Sequence, residues 1–205
     1  PISKVSEAEV MAEGGIDDIF IAYPLVGDFR IKRAIELAKK VRKLILAVDS
    51  LEGAAALDRA AKEAGITFEI RMEVDTGLKR TGVQRDKVVQ LAKEISQLSN
   101  LNLTGLYSFK GLVYQGKPTT DRDKAGQEEG ALMKEIADDI EKAGIKLEDI
   151  SAGSTPTAKP LAQTGLVNEI RPGTYIFNDY MIYKQGAAKL EDIAAYIYVT
   201  VVSTP

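Results

Sequence analysis

Short runs rich in β-branched and aromatic residues alternate with longer amphipathic runs from one end of the chain to the other. That alternation confines it to a parallel sheet covered by helices. Strand candidates fall at 2–5, 18–23, 44–48, 67–74, 103–109, 149–152 and 167–170, with helical spacing at 7–13, 29–41, 51–64, 85–98, 120–143 and 155–164. Within the second helix, Ile31, Ala34, Ile35 and Ala38 repeat at i, i+3, i+4 and i+7 and make one apolar face. Ser6 begins a Ser-Glu-Ala-Glu capping box, Asp28 stands where it can cap the next helix, and Gly65 and Gly144 occupy C-cap positions. The expected architecture is an α/β fold, a (β/α)8 TIM-type barrel, incomplete, with about seven of eight βα units present. The chain opens on Pro-Ile-Ser-Lys-Val with no strand before the first candidate, which puts the missing unit upstream of Pro1. Residues 1–190 then form the barrel, and 191–205, which includes the β-rich stretch 193–202, starts a C-terminal β domain. The plainer alternative is an open doubly wound sheet, complete as it stands.

Composition removes several classes of chemistry. There is no His, so no Ser-His-Asp triad, histidine zinc site or histidine base exists, and acid–base work falls to Lys, Tyr, Arg or carboxylates. There is no Cys, hence no thiolate nucleophile and no cysteine metal site, and no metal ligand set is assigned. With 27 Lys plus Arg against 30 Asp plus Glu, the net charge of −3 offers no long-range attraction to nucleic acid. No apolar run approaches the roughly 20 residues that span a bilayer, and the first ten residues lack a signal-peptide pattern. A cytoplasmic protein without nucleic-acid or membrane partners is expected.

In either α/β architecture, function gathers where strands end. Four such places carry chemistry. Glu73-Val74-Asp75-Thr76-Gly77-Leu78-Lys79-Arg80 ends a charged strand in a cationic turn, where Asp75 either caps the turn or helps to frame an anion or cofactor contact. Ser151-Ala152-Gly153-Ser154-Thr155-Pro156-Thr157 is a small-residue loop before a helix, suited to cradle a phosphate or simply to cap that helix with Pro at its first position. Glu169-Ile170-Arg171-Pro172-Gly173-Thr174-Tyr175 puts Gly and hydroxyls directly after the last strand, in a Pro-Gly turn or a second arm of the cradle. Finally, Tyr107 and Phe109 flank a strand end and are placed to stack on a planar ring or to join the core, with Lys110 beside them.

At these residues the sequence resembles the fold type III, alanine racemase-like pyridoxal phosphate enzymes, in the branch of D-threonine aldolase and D-serine dehydratase. The matching segments are Ser6-Glu7-Ala8-Glu9-Val10, Ile21-Ala22-Tyr23-Pro24, Glu73-Val74-Asp75-Thr76-Gly77 with Arg80 and Gly82, Gly153-Ser154-Thr155-Pro156-Thr157, and 169–179, in that order. The resemblance implies a pyridoxal 5'-phosphate barrel completed by a second domain. It implies that the cofactor phosphate is held by Gly153, Ser154, Thr155, Gly173, Thr174 and Tyr175, with Tyr107 at the ring and Arg80 and Arg171 as the cations near it. The Schiff-base lysine of such enzymes falls upstream of Pro1, so Lys110 does not fill that role. Where relatives carry Tyr-x-Gly-His, this sequence reads Phe109-Lys110-Gly111-Leu112. The implied parent is a lyase (aldolase or dehydratase) or racemase acting at the α-carbon of a small D-amino acid or D-β-hydroxy amino acid. Since an open barrel exposes apolar edges that a partner chain or further segments of the same protein would cover, a homodimer is expected. The chain as it stands is expected to be inactive. The competing expectation is a noncatalytic pyridoxal-phosphate-binding or homeostasis protein.

Overall fold

The computed structural model describes residues 1–204. Its elements are α1 (Val5–Glu13), β1 (Asp18–Ile21), α2 (Asp28–Ala38), β2 (Lys43–Val48), α3 (Leu51–Ala64), β3 (Phe68–Glu73), α4 (Val88–Ile95), β4 (Leu101–Tyr107), a small hairpin of β5 (Val113–Tyr114) and β6 (Lys117–Pro118), α5 (Arg122–Lys142), β7 (Asp149–Ala152), α6 (Ala158–Thr164), β8 (Glu169–Ile170) and α7 (Tyr180–Lys184). The main sheet has six strands in the order β1-β2-β3-β4-β7-β8, every pair parallel. Strand order never reverses, so the doubly wound alternative, which needs a switch point, does not apply. The sheet is an incomplete barrel.

Six strands are one fewer than expected, because the candidate at 2–5 is not a strand. Ile2 makes a single parallel bridge to Ile21, and Val5 is already helical. The cause is local: Glu7 Oε2 accepts from the N–H groups of Ser3 and Lys4 at 3.0 and 3.2 Å, which makes Lys4 the N-cap in place of Ser6. Likewise Gly27, with φ 93°, is the N-cap of α2, and Asp28 is its first helical residue. Gly65 closes α3 in the left-handed conformation, as expected. The stretch 193–202 forms no strand; its backbone ties are Ile193 N to Leu190 O at 3.3 Å and Ala194 N to Phe177 O at 2.8 Å.

The two faces of the sheet differ in kind. Phe68, Ile70 and Met72 of β3 point outward and join Leu44, Leu46 and Val48 of β2 under a layer of helices that contributes Leu57, Ala61, Leu91, Ile95, Met133 and Ile136. The alternate residues of β3, Glu69, Arg71 and Glu73, point to the barrel interior. There Glu69 pairs with Lys43 at 3.1 Å, and Arg71, only 3% exposed, reaches Asp149 and Glu169 at 2.7 Å each while lying 4.7 Å from the Phe20 ring centroid. An unpaired guanidinium in that position would cost several kcal/mol, which is why two carboxylates converge on it. The apolar part of the inner face is small: Phe20, Ile45, Ala47 and Tyr107.

Candidate functional site

Chain segments after β1, β3, β4, β7 and β8 enclose one depression of about 450 Å³. The β3 segment is shaped by Asp75, whose Oδ1 accepts from Gly77 N at 2.9 Å and Lys79 N at 3.0 Å, while Oδ2 accepts from Gln84 Nε2 at 3.0 Å. Asp75 therefore caps its own turn, and the turn delivers Arg80 to the depression. Arg80 lies 4.9 Å from the Phe109 ring centroid and 5.7 Å from that of Tyr23, a cation held between two aromatic faces.

The β7 segment is shaped by Gly153 and Thr157. Gly153 has φ 93°, and a Cβ there would stand 2.8 Å from Leu161 Cδ2, so only glycine fits the turn. Thr157 Oγ1 accepts from Ser154 N at 3.0 Å and sits 3.0 Å from Ser154 Oγ. Thr157, not Ser154 or Pro156, is the N-cap position of α6. This leaves Thr155 at the wall of the depression with its Oγ1 buried and without a partner. Gln185, just past α7, also lines the depression and likewise has a buried Oε1 without a partner. Thr155 and Gln185 thus both line the depression and both keep a buried side-chain oxygen without a partner, which marks polar capacity that the chain itself leaves unused.

Arg171 follows β8. Its Nε donates to Ser151 Oγ at 2.8 Å, its Nη2 donates to the Ser108 carbonyl, and the guanidinium carbon lies 5.2 Å from the centroid of the Tyr107 ring. Burial lowers its pKa from the ordinary arginine value, yet a guanidinium stays charged throughout the physiological range.

Of the residues singled out from sequence, Arg80, Arg171, Ser154, Thr155, Gly173 and Thr174 line this depression together. Gly153 is not among the lining residues but sets the turn that leads to Ser154. Tyr175 lies outside the lining and is 57% exposed. Tyr107 is fully buried below the floor, where its hydroxyl donates to Glu73 Oε2 at 2.8 Å. Burial, then the Glu73 carboxylate, holds that phenol protonated. Lys110 is also buried, and its ammonium pairs with Glu128 of α5 instead of entering the cavity. Sequence reasoning missed Gln185 and the buried acid Glu129 of α5, since neither belongs to a motif. Two glycines flanking Glu129 were the one available signal. A phosphate with an aromatic ring fits the lining: hydroxyls and an open glycine, Gly173, on one side, and Arg171 on another.

The family model described as alanine racemase, N-terminal domain, matches residues 2–181. Among curated proteins, the 3-hydroxy-D-aspartate aldolase of Paracoccus denitrificans is 32% identical over 177 residues, which is 86% of this chain and 46% of the aldolase. Among solved structures, the D-threo-3-hydroxyaspartate dehydratase of Delftia sp. HT23 superposes with a TM-score of 0.82 at 28% identity, over 94% of this chain and 51% of that one. The D-threonine aldolase of Filomicrobium marinum gives 0.81 at 27% identity, over 90% of this chain and 50% of its own. The chain thus spans about half the length of these relatives.

Proposed function

The chain belongs to the alanine racemase N-terminal domain family, and from that premise we propose that it carries the pyridoxal 5'-phosphate site of an enzyme acting at the α-carbon of a small D-amino acid or D-β-hydroxy amino acid, as an aldolase, dehydratase or racemase. The observation that carries this reading is the convergence of the Ser154-Thr155 and Gly173-Thr174 segments and Arg171 on one cavity in which the Thr155 hydroxyl has no partner. On this reading the Ser154, Thr155 and Thr174 hydroxyls and the Gly173 backbone hold the phosphate. When bound, pyridoxal phosphate supplies the electron sink for a carbanion at the substrate α-carbon. Arg171, held by Ser151 and the Ser108 carbonyl, is the cation for the ring nitrogen and withholds a proton from that atom. Arg80, stacked on Phe109, remains free at the rim for an anionic group. The cavity lining includes no lysine, so the reading assigns the Schiff-base role to no residue of this chain. It further takes 1–190 as the cofactor barrel and 191–205 as the start of a C-terminal β domain, in a cytoplasmic homodimer.

The test is direct. Titration of the chain with pyridoxal 5'-phosphate, followed by ligand absorbance, should give saturable binding that Thr155→Val and Thr174→Val each weaken by about 1 kcal/mol, the typical worth of one hydrogen bond. Unaltered affinity in both variants means that the phosphate is held elsewhere.

A further inference from the structure

The longest helix, α5, carries Gly126 and Gly130 one turn apart on the face that meets α6. A Cβ at Gly126 would stand 3.1 Å from Leu161 N and from Thr157 O, and one at Gly130 would stand 2.9 Å from Leu161 Cδ1. The two helices are therefore closer than side chains at these positions would allow. Glu129 lies between the glycines and is fully buried, against the segment after β4 whose Phe109 lines the cavity. Its Oε1 accepts from Ser108 Oγ at 2.9 Å and from Lys110 N at 3.1 Å. Its Oε2 is buried without a hydrogen-bond partner, and the Gly153 N–H lies near enough to the carboxyl to favour its charged form. The charged groups facing it are Arg171 and Lys110, and the Lys110 ammonium is already taken by Glu128. Burial raises the carboxyl above its ordinary range, opposed by the Ser108 and Gly153 donors and the two cations. A carboxyl kept in so costly a place, tying two catalytic-end loops together, calls for a role.

We infer that Glu129 is a positioning residue of the cofactor site: one side chain fixes the Ser108 end of β4, whose carbonyl holds Arg171, and the Gly153 entry to the Ser154-Thr155 loop. The inference rests on the pyridoxal phosphate reading and adds to it the element that aims the phosphate loop. Glu129→Gln keeps the size and one acceptor for Ser108 and Lys110 but replaces the carboxylate near the Gly153 N–H with a neutral amide whose NH₂ group cannot accept from it. Affinities of the chain for pyridoxal 5'-phosphate and for pyridoxal, which lacks the phosphate, separate positioning from bulk stability. Wild type should favour the phosphorylated form, and Glu129→Gln should cut that preference about tenfold. Equal weakening of both ligands, or an unchanged preference, overturns the inference and leaves the cofactor reading standing. A wild type without any preference overturns both. If Glu129→Gln does not fold, Ser108→Ala decides: it deletes one donor to Glu129 while leaving the carbonyl that Arg171 uses. A reduced preference supports the assignment, and an unchanged one removes it.

Discussion

Glu73 shows how a single residue can be strained by its site. It is 2% exposed, accepts from Thr81 Oγ1 at 2.7 Å and from the Tyr107 hydroxyl at 2.8 Å, and burial raises its pKa above the ordinary 4.5 against those two bonds. A carboxyl with a raised folded pKa binds its proton more tightly in the folded state. Its stabilising contribution is therefore complete below the unfolded value and is lost as pH rises through the folded one. Glu73→Gln, whose amide can serve both hydroxyls, removes that dependence. Urea unfolding at pH 4.5 and at pH 8 should show wild type losing stability relative to the variant at the higher pH; a relative gain would mean that the two hydroxyls outweigh burial. The same pair explains one limit of sequence reading. Tyr107 has the composition of a ring-stacking residue, but its side chain is committed downward to Glu73 by the inward phase of β4, and no local pattern reports that phase. Ser154, Thr155, Gly173 and Thr174, by contrast, could be placed at one depression from the sequence, because each directly follows a strand and strand ends of an α/β fold gather together.

At the scale of elements, the helices and inner strands were legible because each long segment has an unambiguous period, as in the Ile31-Ala34-Ile35 face of α2. The error at 2–5 came from a competition that periodicity does not see, in which one Glu7 side chain caps two N–H groups and draws Val5 into a helix. Sheet closeness was hidden too. β4 slips register against β3 between Ile70 and Arg71, and beside that irregularity Gly105 lies so near β7 that a Cβ would meet Asp149 O at 2.4 Å. Gly105→Ala must part the two strands and should lower stability by about 2 kcal/mol, within the range for overpacked sites. Gly173→Ala, with nothing within 4 Å of its Cβ, should leave it unaltered. Equal unfolding midpoints for the two variants would show that the β4–β7 contact relaxes freely.

For the whole molecule, the segment after β8 exposes Ile176 at 64%, Phe177 at 62%, Tyr180 at 62% and Met181 at 65%. A cluster of large apolar side chains in water marks an association surface. Sedimentation velocity over a concentration series should report reversible self-association, which Ile176→Ser with Phe177→Ser weakens at least about tenfold, the loss of one central contact. A monomer at every concentration would withdraw the homodimer. The inner wall of the sheet has the opposite character. Barrels are commonly filled by branched aliphatic side chains, and a barrel of that kind left unclosed would present oil to solvent and coagulate. Here Lys43, Glu69, Asp149 and Glu169 line the concavity, each about a quarter to a third exposed, with Arg71 buried among them. A wall of this composition meets solvent, or any segment that packs over it, through paired charges instead of an oily face.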